Sequence, residues 1–260
     1  MKKVLSILSV AILITSCLSG CGKNNDDTSE VISSASDLAG KTIGTQLGTT
    51  GYKLAEDISD ARVEKYKDGF EAIEALENKQ VDAVIIDELT AQELVSDSKN
   101  LKILPDPFQE EEYAIAYKKG NEELGQKLDE AITKLKRDGT IASISKHWIG
   151  SNPDHKSYEP KDVVRTGTLV MATNAEFPPY EDKVNGEIVG FDIDMAAAIC
   201  DELGMELKIN DMAFSSIITS ISLDEADIGL AGISVTPDRK DIVDFTQGYA
   251  ISSQVIIVRK

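Results

Sequence analysis

The sequence predicts an α/β fold of layered sheets and helices, and three observations carry that prediction. Strand-like and helix-like segments alternate along the chain, the pattern of βα units. Residues 81–86 form a compact, mostly apolar run, as expected of a strand buried on both faces of a parallel sheet. Leu124, Leu128, Ala131 and Leu135 recur at helical spacing up to Gly139, and Ile141, Ile144 and Trp148 do so up to Gly150.

The other elements follow in order. Residues 41–46 read as a short strand, followed by Gly48-Thr49-Thr50-Gly51 and a helix from about Tyr52. Phe70, Ile73 and Leu76 share a helix face. Asp87 stands at the C-terminal end of the apolar strand, and residues 101–104 and 113–117 read as further strands. Residues 151–161, rich in Pro, Asn, Asp and Lys, form the best internal linker. The second part opens with a strand at 169–173 and an irregular turn at Phe177-Pro178-Pro179-Tyr180. A helix marked by Met195, Ile199 and Leu203 stops at Gly204. A strand at 206–209, a helix at 214–221 and a strand at 227–233 come next. Pro237 suits the first turn of a helix. The apolar, β-branched run 253–259 reads as a strand that must pair with an earlier one.

The N-terminus predicts export. Met1-Lys2-Lys3 is positively charged, and residues 4–18 are apolar but too few to span a bilayer, which needs about 20. Leu18-Ser19-Gly20-Cys21 resembles the lipobox of bacterial lipoproteins. That resemblance implies a signal peptide over 1–20 and a diacylglycerol-bearing Cys21 that holds the chain, extracytoplasmic, at the bacterial cell membrane. A plain secretory signal is the alternative, and Ile14-Thr15-Ser16-Cys17 is a weaker competing box. Residues 21–35, polar with little to bury, read as a flexible tether. With Cys17 removed and Cys21 acylated, Cys200 stands alone, so no internal disulfide forms.

The chain carries 27 Lys and Arg against 45 Asp and Glu, net −18. That balance argues against nucleic acid as a partner, since binding it requires basic residues to neutralise phosphates. Catalysis is poorly supplied. A Ser or Cys nucleophile needs a nearby base, and the two histidines, His147 and His155, lie near a helix end and in the linker. Cys200 sits beside an apolar helix stripe and reads as a small hydrophobe. No Cys/His spacing fits zinc, and Asp192 and Asp194 lack the other ligands of an EF-hand. No metal or cofactor is expected.

Several motifs together resemble the polar amino-acid-binding proteins of ABC importers, the family-3 solute-binding proteins. They are Gly40-Lys-Thr-Ile-Gly-Thr-Gln-Leu-Gly-Thr-Thr-Gly51, Val81-Asp-Ala-Val-Ile-Ile-Asp87, Asp138-Gly139 with Trp148-Ile-Gly150, Val170-Met-Ala-Thr-Asn-Ala-Glu-Phe-Pro-Pro-Tyr180, Gly190-Phe-Asp-Ile-Asp194, Gly232-Ile-Ser-Val-Thr-Pro-Asp-Arg239 and Val243-Asp-Phe-Thr246. The resemblance covers nearly everything from residue 36 to 260. It implies a two-lobe fold of the periplasmic-binding-protein II type with a hinge. The order departs from the family, whose members carry the equivalent of 165–260 first and that of 36–150 second. The chain therefore resembles a circular permutant. Residues 36–119 plus 251–260 would form lobe 2 and residues 120–250 lobe 1, with 151–164 joining the family's usual C- and N-termini. Close termini make such permutation tolerable. A truncated tandem of two receptors is the competing reading.

The resemblance also implies the site. Arg239 would bind the ligand carboxylate by paired charge-assisted hydrogen bonds; the bland reading is a surface helix Arg. Thr49 and Thr50 would help from across the cleft, although Thr49 also reads as a helix cap. Asp87 would take the ammonium or cap the next helix, with Gly232 and Ser234 assisting. Phe177 and Phe214 would wall the ligand side chain, where core packing is the alternative. Asn174 and Gln46, both neutral, would face that side chain and favour a polar or neutral amino acid; Glu176 keeps a cationic one open. The partners implied are an amino acid, an ABC permease and membrane lipid through Cys21, with the protein a monomer. A ligand sensor serving a separate signalling partner is the first alternative function, and a dehydratase on the same fold the second.

Overall fold

The alternation read from the sequence becomes a nine-stranded mixed sheet clad in helices, beside a small three-stranded sheet. The computed structural model describes residues 31–150 and 152–260. The export signal over 1–20 and the acylation at Cys21 lie outside the described residues. Residues 32–260 form one unit. The tether assigned to 21–35 overlaps it: Ile32 is buried with Leu38 and Ile43, and Asp37 accepts hydrogen bonds from the backbone of Ser33 and Ser34. One apolar residue that finds a core is enough to dock the end of a polar stretch.

The first part of the chain runs β1 (Thr42–Gln46), α1 (Thr50–Glu56), β2 (Arg62–Tyr66), α2 (Gly69–Glu77), β3 (Ala83–Asp87), α3 (Glu88–Val95) and β4 (Leu101–Ile103). β5 (Gln109–Lys118), α4 (Glu122–Arg137) and α5 (Thr140–Trp148) follow. After the extended segment beyond residue 152 come β6 (Thr168–Thr173), β7 (Glu176–Phe177), β8 (Glu181–Val184), β9 (Glu187–Val189), α6 (Phe191–Leu203) and β10 (Glu206–Asp211). A 3₁₀ turn at Phe214–Ser216, α7 (Ile217–Ser222), β11 (Ile228–Gly229), α8 (Pro237–Lys240) and β12 (Val243–Arg259) complete it. Local chemistry sets several starts. Asp68 caps α2 by accepting from Glu71 N at 2.9 Å, and Pro237 occupies the first turn of α8.

The large sheet runs β10-β6-β11-β5-β12-β3-β1-β2, with β4 paired to β12. Its outer pairs are parallel, as the apolar strands predict, but β5 and β12 run antiparallel to each other and to their other neighbours. These two strands belong to both wings of the sheet. At one end β5 pairs with β11, and at the other β12 pairs with β3. β12 is 17 residues long and was legible only from residue 253. Its first half breaks the alternation with the consecutive Thr246, Gln247 and Gly248 and carries register shifts between Phe245 and Ala250, which hide the strand period. The turn expected at 177–180 joins the short β7 to β8 in the three-stranded β7-β8-β9 sheet.

Apolar side chains divide with the wings. Ala72, Leu76, Val84, Val255 and Ile257 pack with their neighbours on one face of the β1–β3 wing, and Leu38, Ile43, Ile85 and Ile256 on the other. The second wing is larger, joining Leu128, Ile132, Leu135, Trp148, Met171, Phe191 and Ile199. Cys200 is fully buried there, its thiol pushed up to about 12 by burial, as the hydrophobe reading expected.

The extended segment is strapped to α6 by two of that helix's acids. Asp194 accepts from Trp148 Nε1 at 2.6 Å and Tyr158 N at 2.8 Å. Asp201 accepts from the Tyr158 hydroxyl and Lys161 N, both at 2.8 Å, and pairs with Arg165. Asp194→Ala leaves a buried indole N–H and a backbone N–H without acceptors. It should lower stability by about 2–6 kcal/mol, at 1–3 kcal/mol per unsatisfied donor. Asp194→Asn keeps an acceptor and should lose less. Denaturant unfolding of the three proteins checks this; equal midpoints would mean the strap carries no stability.

Candidate functional site

The ten binding residues named from the sequence lie in five separate stretches of chain, and the fold brings all of them to one cavity between the wings. The cavity is small, ≈ 30 Å³. Gln46, Thr49 and Thr50 come from the β1–α1 corner and Asp87 from the end of β3. Asn174 and Phe177 follow β6, Phe214 follows β10, and Gly232, Ser234 and Arg239 follow β11. Strand ends facing a crevice are where open α/β sheets bind ligands.

Arg239 is buried, which argues against the surface reading. Its Nη1 donates to Ser234 O at 2.7 Å and its Nη2 to Gly48 O at 3.0 Å, while the guanidinium lies 5.4 Å from the Phe214 ring centroid. Burial lowers its pKa, yet a guanidinium keeps its charge in proteins. Three of its five N–H donors remain for another acceptor. The bond to Gly48 joins the two wings, and Gly48 owes its place there to geometry. Its φ is +86°, and a Cβ would stand 3.1 Å from Ser215 Cβ.

Thr49 is a helix cap. Its hydroxyl accepts from Tyr52 N at 3.1 Å and donates to Gln46 O at 2.8 Å, so both functions are used. Gln46 Nε2 donates to Asn174 Oδ1 at 2.8 Å, a second buried bond between the wings. Glu176 pairs with Lys67 at 2.7 Å on the rim. Phe177 stacks on Tyr180 with centroids 5.3 Å apart. Gly232, at φ +54°, allows this approach, because a Cβ there would lie 2.6 Å from Phe177 Cε1.

Asp87 is at once a cavity residue and a cap. Its Oδ1 accepts from Leu89 N at 3.2 Å, and its Oδ2 accepts from the hydroxyls of Tyr113 and Ser252. Burial nevertheless outweighs those donors and pushes the carboxyl up to about 6.

Four polar residues of this cavity region escaped the sequence reading: Glu111, Tyr113, Ser252 and Gln254. All lie on β5 and β12. Pairing sets Glu111 opposite Ser252 and Gln254 opposite Asp87. Glu111 sits in a Glu110-Glu111-Glu112 run that reads as solvated charge. Only the period-2 alternation into the apolar 113–116 segment signals that its side chain faces inward.

Residues 169–260 match the family described as bacterial extracellular solute-binding proteins, family 3, a family of binding proteins rather than enzymes. Among curated relatives, the arginine-binding extracellular protein of Bacillus subtilis (strain 168) is 38% identical over 92 residues, 35% of this chain and 36% of that protein. The L-cystine-binding protein of Escherichia coli (strain K12) is 32% identical over 132 residues, 50% of this chain and 48% of that protein. The glutamine-binding ABC transporter protein of Bacillus subtilis (strain 168) is 30% identical over 113 residues, 44% and 41% of the two chains. The chain thus spans less than half the length of each of these relatives.

The raised pKa of Asp87 has a defined sign. Between pH 3.8, the ordinary value, and about 6, the folded protein binds the proton more tightly than the unfolded chain does. This group's contribution to stability therefore falls as pH rises through that window and levels off above it. Asp87→Asn removes the contribution, so its Tm should decline less than wild type between pH 4 and 7. Parallel Tm profiles would mean that Asp87 titrates as an exposed carboxylate does.

Proposed function

We propose, from the match of residues 169–260 to the bacterial extracellular solute-binding proteins of family 3, that the chain is an extracytoplasmic amino-acid receptor that delivers its ligand to an ABC importer. The observation that carries this reading is the convergence, in one cavity, of a buried guanidinium, buried carboxylates and two aromatic walls. An α-amino acid offers a group to each. Arg239 binds the carboxylate with Thr49 and Thr50 beside it, Asp87 with Ser234 and Gly232 supplies the acidic end, and Phe177 and Phe214 flank the side chain. Asn174 and Gln46 meet the side-chain tip with neutral amides, and Lys67 occupies Glu176, which favours a polar or neutral amino acid. A cationic ligand is the second reading: Asp87 and Glu111 face the cavity against one guanidinium, and the Bacillus relative is named for arginine.

Ligand capture works by hinge closure in this reading. Lobe 2 comprises residues 36–119 and 251–260 and lobe 1 residues 120–250, joined where β5 and β12 cross. The order of the lobes is that of a circular permutant, with 151–164 as the joining linker. A ligand touching both lobes shifts the population toward the form in which they meet. The remaining elements of the proposal are a signal peptide over 1–20, a lipid anchor at Cys21 and a monomeric receptor.

Thermal unfolding against the twenty L-amino acids and L-cystine, one at a time, tests the function. One or a few should raise Tm by mass action. Arg239→Ala should abolish the shift, since truncating one partner of a buried charge pair costs about 2–5 kcal/mol. A variant that responds like wild type would place the carboxylate elsewhere.

A further inference from the structure

We propose that Glu181 and Asp192, outside the cavity, are a proton-sharing pair that positions the cavity's Gly232 wall in a pH-sensitive way. The effect on ligand rests on the amino-acid reading above; the pair itself does not.

Glu181 opens β8 and Asp192 stands in the first turn of α6, and both are fully buried. Backbone bonds from Phe191 N to Pro179 O at 3.1 Å and from Asp192 N to Tyr180 O at 2.9 Å seat the helix start beside this strand. Gly190 permits that seat, since a Cβ there would stand 2.2 Å from Tyr180 O. The two carboxyls meet as hydrogen-bonding partners. Two carboxylates have only acceptors to offer one another, so a bond between them needs a proton. No protein donor reaches either oxygen of Glu181 or Oδ1 of Asp192. Asp192 Oδ2, by contrast, accepts from Gly232 N at 2.9 Å and from the Tyr249 hydroxyl at 2.8 Å. Donors favour the charged form of a carboxyl, and burial without them favours the neutral one. Glu181 is therefore the acid of the pair and Asp192 the carboxylate.

The surroundings keep the proton in place. Asp211 from β10 and Asp87 from β3 add to the burial that raises Glu181, and Tyr249 from β12 supplies the phenol on Asp192. Lys183 on β8 is paired with Asp211, and Glu176 on β7 with Lys67. Asp194, two residues along α6, is taken by Trp148 Nε1 and Tyr158 N.

Gly232 transmits the state of the pair to the cavity. It is wedged between two rings: a Cβ there would stand 2.6 Å from Phe177 Cε1 and 3.2 Å from Tyr113 Cε2. A shift of its backbone therefore moves the wall that the ligand meets. Asp192, pushed up to about 7 by burial, gains its charge as pH rises through neutrality. The pair holds two protons below that point and one above it. A hydrogen bond to an ionised acceptor is about twice as strong as one to a neutral acceptor, so the hold on Gly232 N tightens with rising pH. The proton that Glu181 donates lets Asp192 ionise at lower pH than it would beside an apolar group.

The test follows the Gly232 amide by NMR through neutral pH, in the full chain carrying isotope-labelled glycine. Its shift should titrate in wild type and stay flat in Asp192→Asn. Glu181→Met keeps the side chain's length and removes the donor, so the midpoint should rise by about one pH unit or more. Glu181→Gln can still donate to Asp192 and should return the midpoint toward wild type. Affinity for whichever of the twenty L-amino acids or L-cystine binds should rise with pH through the same midpoint in each protein. Asp87 titrates in the same cavity, so the displacement between the Met and Gln variants decides, not the profile of either alone. A wild-type amide that does not titrate, a titration that survives Asp192→Asn, or equal midpoints in the Met and Gln variants overturns the pair. Affinity whose midpoint stays put while that of the amide moves overturns the link to the cavity. A wild type that binds none of these ligands overturns the receptor reading, and the amide midpoints still decide the pair.

Discussion

The antiparallel ladder between β5 and β12 is the constraint on which the rest of the molecule depends. Both strands pass from one wing into the other, so every residue along them is fixed relative to both cores at once. The apolar half of β12, Val255 to Val258, is buried between β3 and β4, while Val243 seals the opposite wing. Between these anchors the ladder loses register twice, at Phe245 to Gly248 and Gly248 to Ala250. Bulges bend a strand and raise its twist. The cavity opens where the two wings diverge from this ladder, and Glu111, Ser252 and Gln254 stand on the two strands common to both wings.

That placement explains what was legible in the sequence and what was not. Asp87, Arg239 and Thr49 announce themselves because each follows an apolar strand or opens a helix, where a polar residue needs a reason. The strands β3 and β6 are legible for the same cause: burial leaves a mostly apolar run. Glu111 and Gln254 lie within strands, where the only local sign of an inward polar residue is its period-2 register with apolar neighbours. Which residues it meets there depends on pairing partners more than a hundred residues away in sequence. β2 escaped because Arg62-Val-Glu-Lys-Tyr66 is a half-exposed edge, whose pattern is that of any surface segment.

Buried carboxyl groups are not confined to the cavity and the α6 strap. Glu181 and Asp192 are fully buried together, and Asp192 accepts from Gly232 N at 2.9 Å and the Tyr249 hydroxyl at 2.8 Å. Burial pushes Asp192 up to about 7 and Glu181 well above its ordinary range. Two such groups share a proton more readily than they carry two charges. Their bonds hold the Gly232 loop from behind, so the wall that Phe177 packs against is itself set by buried acids. A strongly acidic chain thus uses carboxyl groups in its interior as fixed acceptors and leaves most of its excess negative charge on the surface.

Contacts between the wings away from the ladder are few. Lys53 pairs with Asp238 and Lys67 with Glu176, both through lysines around half exposed, and pairs of that kind contribute about 0–1 kcal/mol each. The buried contacts are neutral or singly charged hydrogen bonds: Gln46 to Asn174 and Arg239 to Gly48. Each net bond of this class is worth about 0.5–3 kcal/mol. Their sum is a few kcal/mol, a range that a zwitterion bridging a buried guanidinium on one wing and a buried carboxylate on the shared strands can match. The wings are therefore joined strongly through β5 and β12 and weakly everywhere else. That is the balance a binding protein needs if the ligand, rather than the chain, is to decide how closely they meet.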